Sequence, residues 1–260
     1  MTAQAIRPWR ITVLISGSGE VSLSSSCIPA NPPSTSPPGT NLGALLSALP
    51  TTLSHCEITH VLSSRSTAFG LTRAASHSPP IPSSHFSLLT YRKTTGLDRA
   101  SYDLELASQI RATRPDLVVL AGWMLILSSG FLEALARDWD EEDLGAERSS
   151  PYGKSAPGKG TAIPIINLHP ALPGTFPGAH AIKDAWEAGR EGKITKTGIM
   201  VHRVIPLLDA GEPVVVREVE LREGESLEGL EERIHEVEHV ALVDAVVEVV
   251  KMLGDGSWWK

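Results

Sequence analysis

The chain has 260 residues, of which 42% are hydrophobic and 20% charged, proportions typical of a globular protein and not of a disordered or fibrous one. Its 30 acidic residues outnumber the 23 basic residues and give a net charge of -7, which argues against nucleic acid or a membrane as a partner but leaves room for a local phosphate pocket. The two cysteines, Cys27 and Cys56, form no disulfide framework and lack metal-ligand spacing, and the first ten residues lack the apolar core of a signal peptide, so we expect a cytoplasmic protein.

Short apolar runs alternate with helical patterns along the chain. The runs predict strands over residues 11–15, 58–62, 117–121, 163–166, 199–204 and 214–219. The segments with helical periodicity cover residues 41–49, 68–76, 99–113, 130–137 and 179–188. Because uninterrupted apolar strands are buried on both faces, the alternation predicts an α/β fold, a mostly parallel twisted sheet with helices on both faces.

The last helix has the clearest pattern. Ser226 can cap its N-terminus, and Gly254 can close it. Between them apolar residues recur at a spacing of three to four, at Leu227, Leu230, Ile234, Val237 and Ala241.

Two segments lack any apolar periodicity. Residues 20–39 are rich in Ser and Pro, and residues 138–161 begin acidic and continue with Ser, Pro, Gly and Lys. Such compositions bury too little apolar area to offset the entropy of ordering, so they predict surface loops or disorder. Strands and helices resume after each segment, and we therefore expect one domain over residues 1–260 with two irregular insertions.

Asn167 and His169 directly follow the predicted strand 163–166, at the edge where open α/β sheets bind ligands. An amide beside an imidazole suits stabilisation of a tetrahedral oxyanion and proton transfer, but an Asn-x-His pair is equally compatible with a polar strand end. Asp209 stands in a predicted turn, where it is either a turn-former or, if it approaches His169, a group that orients and charges the imidazole.

The turn at residues 16–19, Ser-Gly-Ser-Gly, can present backbone N–H groups to a phosphate. It lacks the third glycine and the following helix of a dinucleotide site. The chain also contains no Gly-x-x-x-x-Gly-Lys-Ser/Thr or Gly-x-Ser-x-Gly pattern. The commonest nucleotide triphosphatase and esterase motifs are therefore absent.

Several ordered segments resemble the folate-dependent formyltransferases. The residues 167–174, Asn-Leu-His-Pro-Ala-Leu-Pro-Gly, carry the resemblance together with the segments 13–19, 66–71, 99–103, 120–128 and 178–180. The resemblance covers nearly the whole chain apart from the two irregular segments. It implies a Rossmann-like formyltransferase fold and a one-carbon transferase that moves a formyl group from 10-formyltetrahydrofolate to the amine of glycinamide ribonucleotide in de novo purine biosynthesis.

The resemblance also implies roles for individual residues. The implied catalytic residues are Asn167, His169 and Asp209. The implied substrate-binding residues, for phosphate and ribose, are Gly17, Ser18, Gly19, Thr40, Asn41 and Glu238. The implied folate-binding residues are Arg99, Met124, Leu125, Ile126, Leu127, Ile205 and Leu208, although Leu125 stands where some relatives carry an arginine. We expect small-molecule substrates, no metal, and a monomer or homodimer. On composition alone, Glu238 is an exposed helical carboxylate and His202 a strand histidine with a structural hydrogen bond.

Residues 20–39 interrupt the segment that should hold the phosphate, between Gly19 and Thr40. The insertion is either a tolerated loop or, since consensus splice-site codons can encode Val21-Ser22, a translated intron. The second possibility leaves a folate-binding but inactive chain.

A sugar-nucleotide formyltransferase shares the catalytic trio and stays an alternative. A methionyl-tRNA formyltransferase would need a further C-terminal domain, and a formyltetrahydrofolate hydrolase an N-terminal regulatory domain, for which the sequence has no room.

Overall fold

The computed structural model describes residues 7–17, 40–137 and 161–260. The predicted irregular segments 20–39 and 138–161 lie outside the described residues, except for Thr161. Ser18 and Gly19 lie outside them as well.

Seven strands of the described residues form one sheet in the order β3-β2-β1-β4-β7-β8-β9. Neighbouring strands are parallel from β3 through β7 in this order. The β7–β8 and β8–β9 pairs are antiparallel. The sheet strands are β1 (Trp9–Ile15), β2 (Cys56–Ser63), β3 (Ser83–His85), β4 (Leu117–Leu120), β7 (Ile165–His169), β8 (Lys196–Arg203) and β9 (Pro213–Glu220). The prediction of a mostly parallel sheet is confirmed.

The helices of the described residues pack on both faces of this sheet. They are α1 (Asn41–Ala48), α2 (Phe69–Ser76), α3 (Leu88–Thr95), α4 (Arg99–Ala112), α5 (Ser129–Ala134), α6 (Ala181–Arg190) and α7 (Leu227–Asp255). Ile15 lies against Gly70 of α2, whereas Thr12 hydrogen-bonds Thr113 at the end of α4. Side chains an odd number of positions apart on a strand point to opposite faces, so α2 and α4 cover different sides of β1.

Several predicted boundaries are wrong. The strand predicted over 163–166 is β7, Ile165–His169, so Asn167 and His169 belong to the strand and do not follow it. The helix predicted over 130–137 ends at Ala134, and β5 (Ala136–Arg137) pairs with β6 (Thr161–Ala162) in a two-stranded antiparallel ribbon that joins the two ends of an irregular segment. Helix α7 continues through Gly254 to Asp255, because the residue with the left-handed backbone that ends a helix is Gly256, with φ of 76°.

The sequence patterns also missed β3 and α3. The three residues of β3 are polar, and α3 contains no buried residue, so neither has apolar periodicity. Helix α3 depends on its caps, since Ser87 accepts a hydrogen bond from the Thr90 N–H and Gly96 has φ of 71°. No helix of the described residues is long and apolar enough to cross a membrane.

A buried carboxylate ties the start of the chain to the sheet. Asp116 is fully buried and accepts hydrogen bonds from Arg7 at 2.6 and 2.9 Å and from the backbone N–H of Arg10 at 2.8 Å. Its own backbone N–H donates to the carbonyl of Arg10. Asp116 therefore fixes the beginning of β1 beside β4.

We predict that Asp116→Ala lowers the free energy of unfolding by about 3 kcal/mol, because it leaves Arg7 and the Arg10 N–H without their buried acceptor. Urea denaturation followed by circular dichroism measures this change. The matched control is Asp244→Ala, which breaks an exposed ion pair with Arg217 at 2.8 Å and should cost less than about 1 kcal/mol. Equal effects of the two substitutions would contradict the anchoring role of Asp116.

Candidate active site

A cavity of about 420 Å³ opens at the carboxyl edge of the parallel strands. One part of its wall is polar and consists of Asn41, at the start of α1, and His235 and Glu238, on α7. Another part is apolar and comes from the loop after β4, residues 122–127, and the loop after β8, residues 204–208. The ends of β7 and β8 supply the polar groups between these parts.

Asn167, His169 and Asp209 meet in this cavity. Asn167 and His169 lie two positions apart on β7, which directs their side chains to the same side. Asp209 lies in the loop between β8 and β9, and its Oδ2 is 3.5 Å from Nδ1 of His169. Its Oδ1 is 3.5 Å from Nδ2 of Asn167. The structure thus brings together the three side chains that the sequence suggested as catalytic.

The position of Asp209 depends on an unusual backbone path. Asp209 has φ of 49°, in the left-handed region that few residues other than glycine adopt. Its Oδ2 accepts a hydrogen bond from the Gly178 N–H at 2.9 Å, which ties this loop to the loop after β7. At Gly211 a Cβ atom would collide with the carbonyl of Arg203, so the close return of the loop to β8 requires glycine there.

His202 is a member of the site that sequence reasoning did not identify. It lies opposite Asn167 in the antiparallel pairing of β7 with β8, is buried, and lines the cavity. Its Nδ1 lies 2.9 Å from the carbonyl of Arg203 and must donate to it, which leaves the lone pair of the neutral ring on Nε2. Nε2 is 3.2 Å from Nδ2 of Asn167 and accepts its hydrogen bond, which fixes the orientation of the Asn167 amide.

Burial and neighbouring charges set the proton positions in this cluster. Burial lowers the pKa of His169 below its ordinary value of 6.5, although the carboxylate of Asp209 and the Phe176 carbonyl, 3.0 Å from Nε2, both favour its charged form. Burial alone would raise the pKa of Asp209, but the hydrogen bond from the Gly178 N–H and the charge of His169 outweigh this effect and lower the pKa. Asp209 is therefore a carboxylate at neutral pH, and a second proton on His169 would face it at Nδ1.

Glu238 carries the second buried carboxyl group of the cavity. Its exposed fraction is only 6%, so the exposed position expected from composition is wrong. Desolvation raises the pKa of Glu238 to about 7, and the hydrogen bond from Nδ2 of Asn41, at 3.4 Å, offsets only part of this effect. Near neutral pH this group is thus divided between a donor and an acceptor form.

The apolar wall is unusually open to solvent. Met124, Ile126 and Leu207 are 56%, 61% and 67% exposed, and Ile205 and Leu208 are also exposed. Exposed apolar side chains that cluster beside a cavity mark a surface that a ligand or partner covers. Of this wall, Trp123 and Leu127 belong to the buried core, and Leu125 packs against it.

Three further described residues implied by the resemblance, Arg99, Thr40 and Gly17, do not line the cavity. Arg99 pairs with Asp103 at 2.6 Å and donates to the carbonyl of Ile126, so it supports the apolar loop from behind. Thr40 caps α1 by accepting a hydrogen bond from the Gly43 N–H at 3.1 Å. Gly17 is exposed at the end of β1. The described residues contain no group of three or more His, Cys, Asp or Glu side chains that could hold a metal ion.

Comparisons with known proteins point to one family. The sequence profile described as formyl transferase matches residues 35–138 and 159–246. The chain is 44% identical over 216 residues to phosphoribosylglycinamide formyltransferase of Schizosaccharomyces pombe, covering 82% of this chain and 92% of that protein. It is 36% identical over 257 residues to the protein of the same name from Saccharomyces cerevisiae, covering 94% of this chain and 98% of that one.

The fold also resembles a solved structure. Glycinamide ribonucleotide transformylase 1 from Symbiobacterium toebii superposes with a TM-score of 0.68 and 26% sequence identity, over 96% of this chain and 93% of the other. The similarity extends over most of both chains.

We predict that Glu238→Gln removes a pH-dependent loss of stability. The folded-state pKa of Glu238 lies above the ordinary value of 4.5, so the folded protein binds this proton more tightly than the unfolded chain does. The stabilisation that this bound proton contributes to the folded state is complete below about pH 4.5 and is lost as pH rises through about 7. The wild type should therefore lose up to about 3 kcal/mol relative to Glu238→Gln over this range.

Thermal unfolding of both proteins between pH 4 and 8 measures the difference. The matched control is Glu236→Gln, at an exposed position two residues away on α7, and its curve should run parallel to that of the wild type. Parallel curves for Glu238→Gln would contradict the prediction.

Proposed function

The chain belongs to the formyl transferase family, and from that premise we propose that it transfers the formyl group of 10-formyltetrahydrofolate to the amine of glycinamide ribonucleotide in de novo purine biosynthesis. The observation that carries the proposal is the convergence of Asn167, His169 and Asp209 in one cavity with an apolar wall. This arrangement offers oxyanion donors, a proton carrier and a surface for the flat folate ring in the same place.

The reaction begins when the amine nitrogen attacks the formyl carbon. A new C–N bond forms, and the carbonyl electron pair moves to oxygen to give a tetrahedral oxyanion. The amide of Asn167 stabilises this oxyanion: His202 holds one of its two hydrogens, and the other can leave its longer contact with Asp209 for the stronger acceptor. His169 donates from the ring, because an oxyanion competes with the neutral carbonyl of Phe176 for the Nε2 hydrogen.

Proton transfer completes the exchange. The attacking nitrogen loses one proton, the bond from the formyl carbon to N10 of the folate breaks, and N10 gains one proton. The His169–Asp209 pair carries the proton between the two nitrogens, since Asp209 stabilises the imidazolium across the 3.5 Å contact. The products are the formylated ribonucleotide and tetrahydrofolate, and the reaction requires no metal.

The two substrates occupy different parts of the cavity wall. Met124, Leu125, Ile126 and Leu127, with Ile205 and Leu208 from the facing loop, form the folate side, and ligand binding would cover their exposed apolar area. Glu238 and Asn41 form the ribose side, where a carboxyl group can bind the sugar hydroxyls. The phosphate is assigned to Gly17, Ser18, Gly19 and the N-terminus of α1 at Thr40, where backbone N–H groups favour anions. Arg99 acts on the folate indirectly, through the carbonyl of Ile126.

We predict that Asn167→Ala and His169→Ala each reduce kcat about 100-fold to 1000-fold, the usual effect of losing an oxyanion donor. Spectroscopic conversion of 10-formyltetrahydrofolate to tetrahydrofolate by the purified chain, with and without glycinamide ribonucleotide, measures the activity. The control is Asp184→Asn, an exposed change on α6 that should leave kcat unaltered. Turnover that does not require the ribonucleotide would overturn the assignment of the acceptor.

The same assay applied to a variant lacking residues 20–39 tests the insertion. Equal turnover with and without the segment identifies it as a tolerated loop. Turnover in the shortened chain alone identifies the full-length chain as a folate-binding but inactive form. Activity with an aminosugar nucleotide and none with glycinamide ribonucleotide would replace the proposal with the sugar-nucleotide alternative.

We further predict that Asp209→Asn lowers the pKa of His169 below its wild-type value, because the substitution removes the negative charge that favours the imidazolium and leaves the desolvation in place. Titration of the His169 ring by NMR measures the shift, with Asp184→Asn as the control. An unchanged or raised His169 pKa in Asp209→Asn would show that Asp209 does not stabilise the charged ring.

A further inference from the structure

Ser16 joins the carboxyl ends of three neighbouring strands. It directly follows β1 and is 1% exposed. Its backbone N–H donates to the carbonyl of Gly122 at 3.0 Å, and its Oγ accepts a hydrogen bond from the backbone N–H of Met124, also at 3.0 Å. Its Oγ accepts a second hydrogen bond, at 2.6 Å, from Ser64, which follows β2.

These contacts fix the loop that forms the folate side of the cavity. The side chains of Met124 and Ile126 are mostly exposed, whereas Trp123 and Leu127 of the same loop are buried in the core. The described polar anchors of the loop are Ser16, which binds Gly122 and Met124, and Arg99, which binds the carbonyl of Ile126. Ser16 also immediately precedes Gly17, where the segment assigned to the phosphate begins.

We propose that Ser16 is a positioning residue for the formyl donor. Its hydroxyl group holds the backbone at Met124 and thereby fixes the folate loop, residues 122–127 after β4. Ser16 does not line the cavity, so it acts through Met124 and not by contact with a substrate. The inference rests on the proposed function for the identity of the ligand. The inference that Ser16 fixes the backbone at Met124 rests on its hydrogen bonds to Met124 and Gly122 and does not depend on the ligand.

The test compares Ser16→Ala with Ser16→Thr, which restores a hydroxyl group. Ser16→Ala should raise the KM for 10-formyltetrahydrofolate about tenfold, the effect of one buried N–H without its acceptor, while the KM for the ribonucleotide changes much less. Ser16→Thr should return the KM for 10-formyltetrahydrofolate toward the wild-type value. Calorimetric titration with tetrahydrofolate should show the same loss and recovery in affinity.

Two control variants separate positioning from simple loss of stability. Thr12→Val removes a buried hydroxyl from the same strand, one that bonds Thr113 at 2.6 Å away from the cavity, and should leave both KM values unchanged. Ser64→Ala removes one partner of the Ser16 hydroxyl but keeps the bond to Met124, and should also leave them close to wild type. Equal changes in both KM values for Ser16→Ala, or the same kinetic effect in Thr12→Val, would overturn the proposal.

A further measurement does not depend on the activity. Amide hydrogen exchange at Met124 should become faster in Ser16→Ala and stay slow in Thr12→Val. If the wild type lacks turnover, the proposed function fails and this exchange experiment still tests the placement of the loop. If the wild type is active and Ser16→Ala changes neither exchange nor the KM for the formyl donor, the inference about Ser16 fails alone.

Discussion

The site depends on one buried carboxylate, that of Asp209. A carboxylate out of water stays ionised only where hydrogen bonds and positive charges replace its hydration. Asp209 receives them from the Gly178 N–H at 2.9 Å and from Asn167 and His169 at 3.5 Å. These groups belong to β7 and the loop after it, and Asp209 itself lies in the loop after β8, so a single ionised group sets the relative position of three segments. The left-handed backbone at Asp209 is the conformational cost of this arrangement.

The pKa values of the two carboxyl groups in the cavity are shifted in opposite directions. Several donors surround Asp209 and lower its pKa, whereas Glu238 has a single long hydrogen bond from Asn41 and burial raises its pKa. Among the described residues that line the cavity there is no Lys or Arg, and the basic side chains are imidazoles. A wall with imidazoles but no permanent cation, beside the Glu238 carboxyl whose pKa is about 7, suits a reaction that moves a proton from one nitrogen to another.

The strands and the catalytic pair follow from local patterns in the sequence. The apolar runs that become β1, β4 and β7 are continuous because both faces of these strands are covered, and this burial is visible in single segments. Asn167 and His169 could be placed at a strand end because they interrupt such a run at a parallel edge. Polar β3 and the exposed helix α3 gave no such signal, since edge elements that bury little apolar area are held by pairing and caps.

The sequence by itself determined the alternation of most strands and helices, the mostly parallel sheet and, through the resemblance, many of the residues that line the cavity. Only the tertiary structure decided that β8 runs antiparallel with His202 opposite Asn167, that Glu238 is buried, that Arg99 supports the folate loop from behind, and that Ser16 holds Met124. Local periodicity reports whether a residue faces a core, because each helix or strand buries one or both faces. Register and hydrogen-bond partners depend on residues far apart in the chain, so they become fixed only when the strands and loops pack against each other.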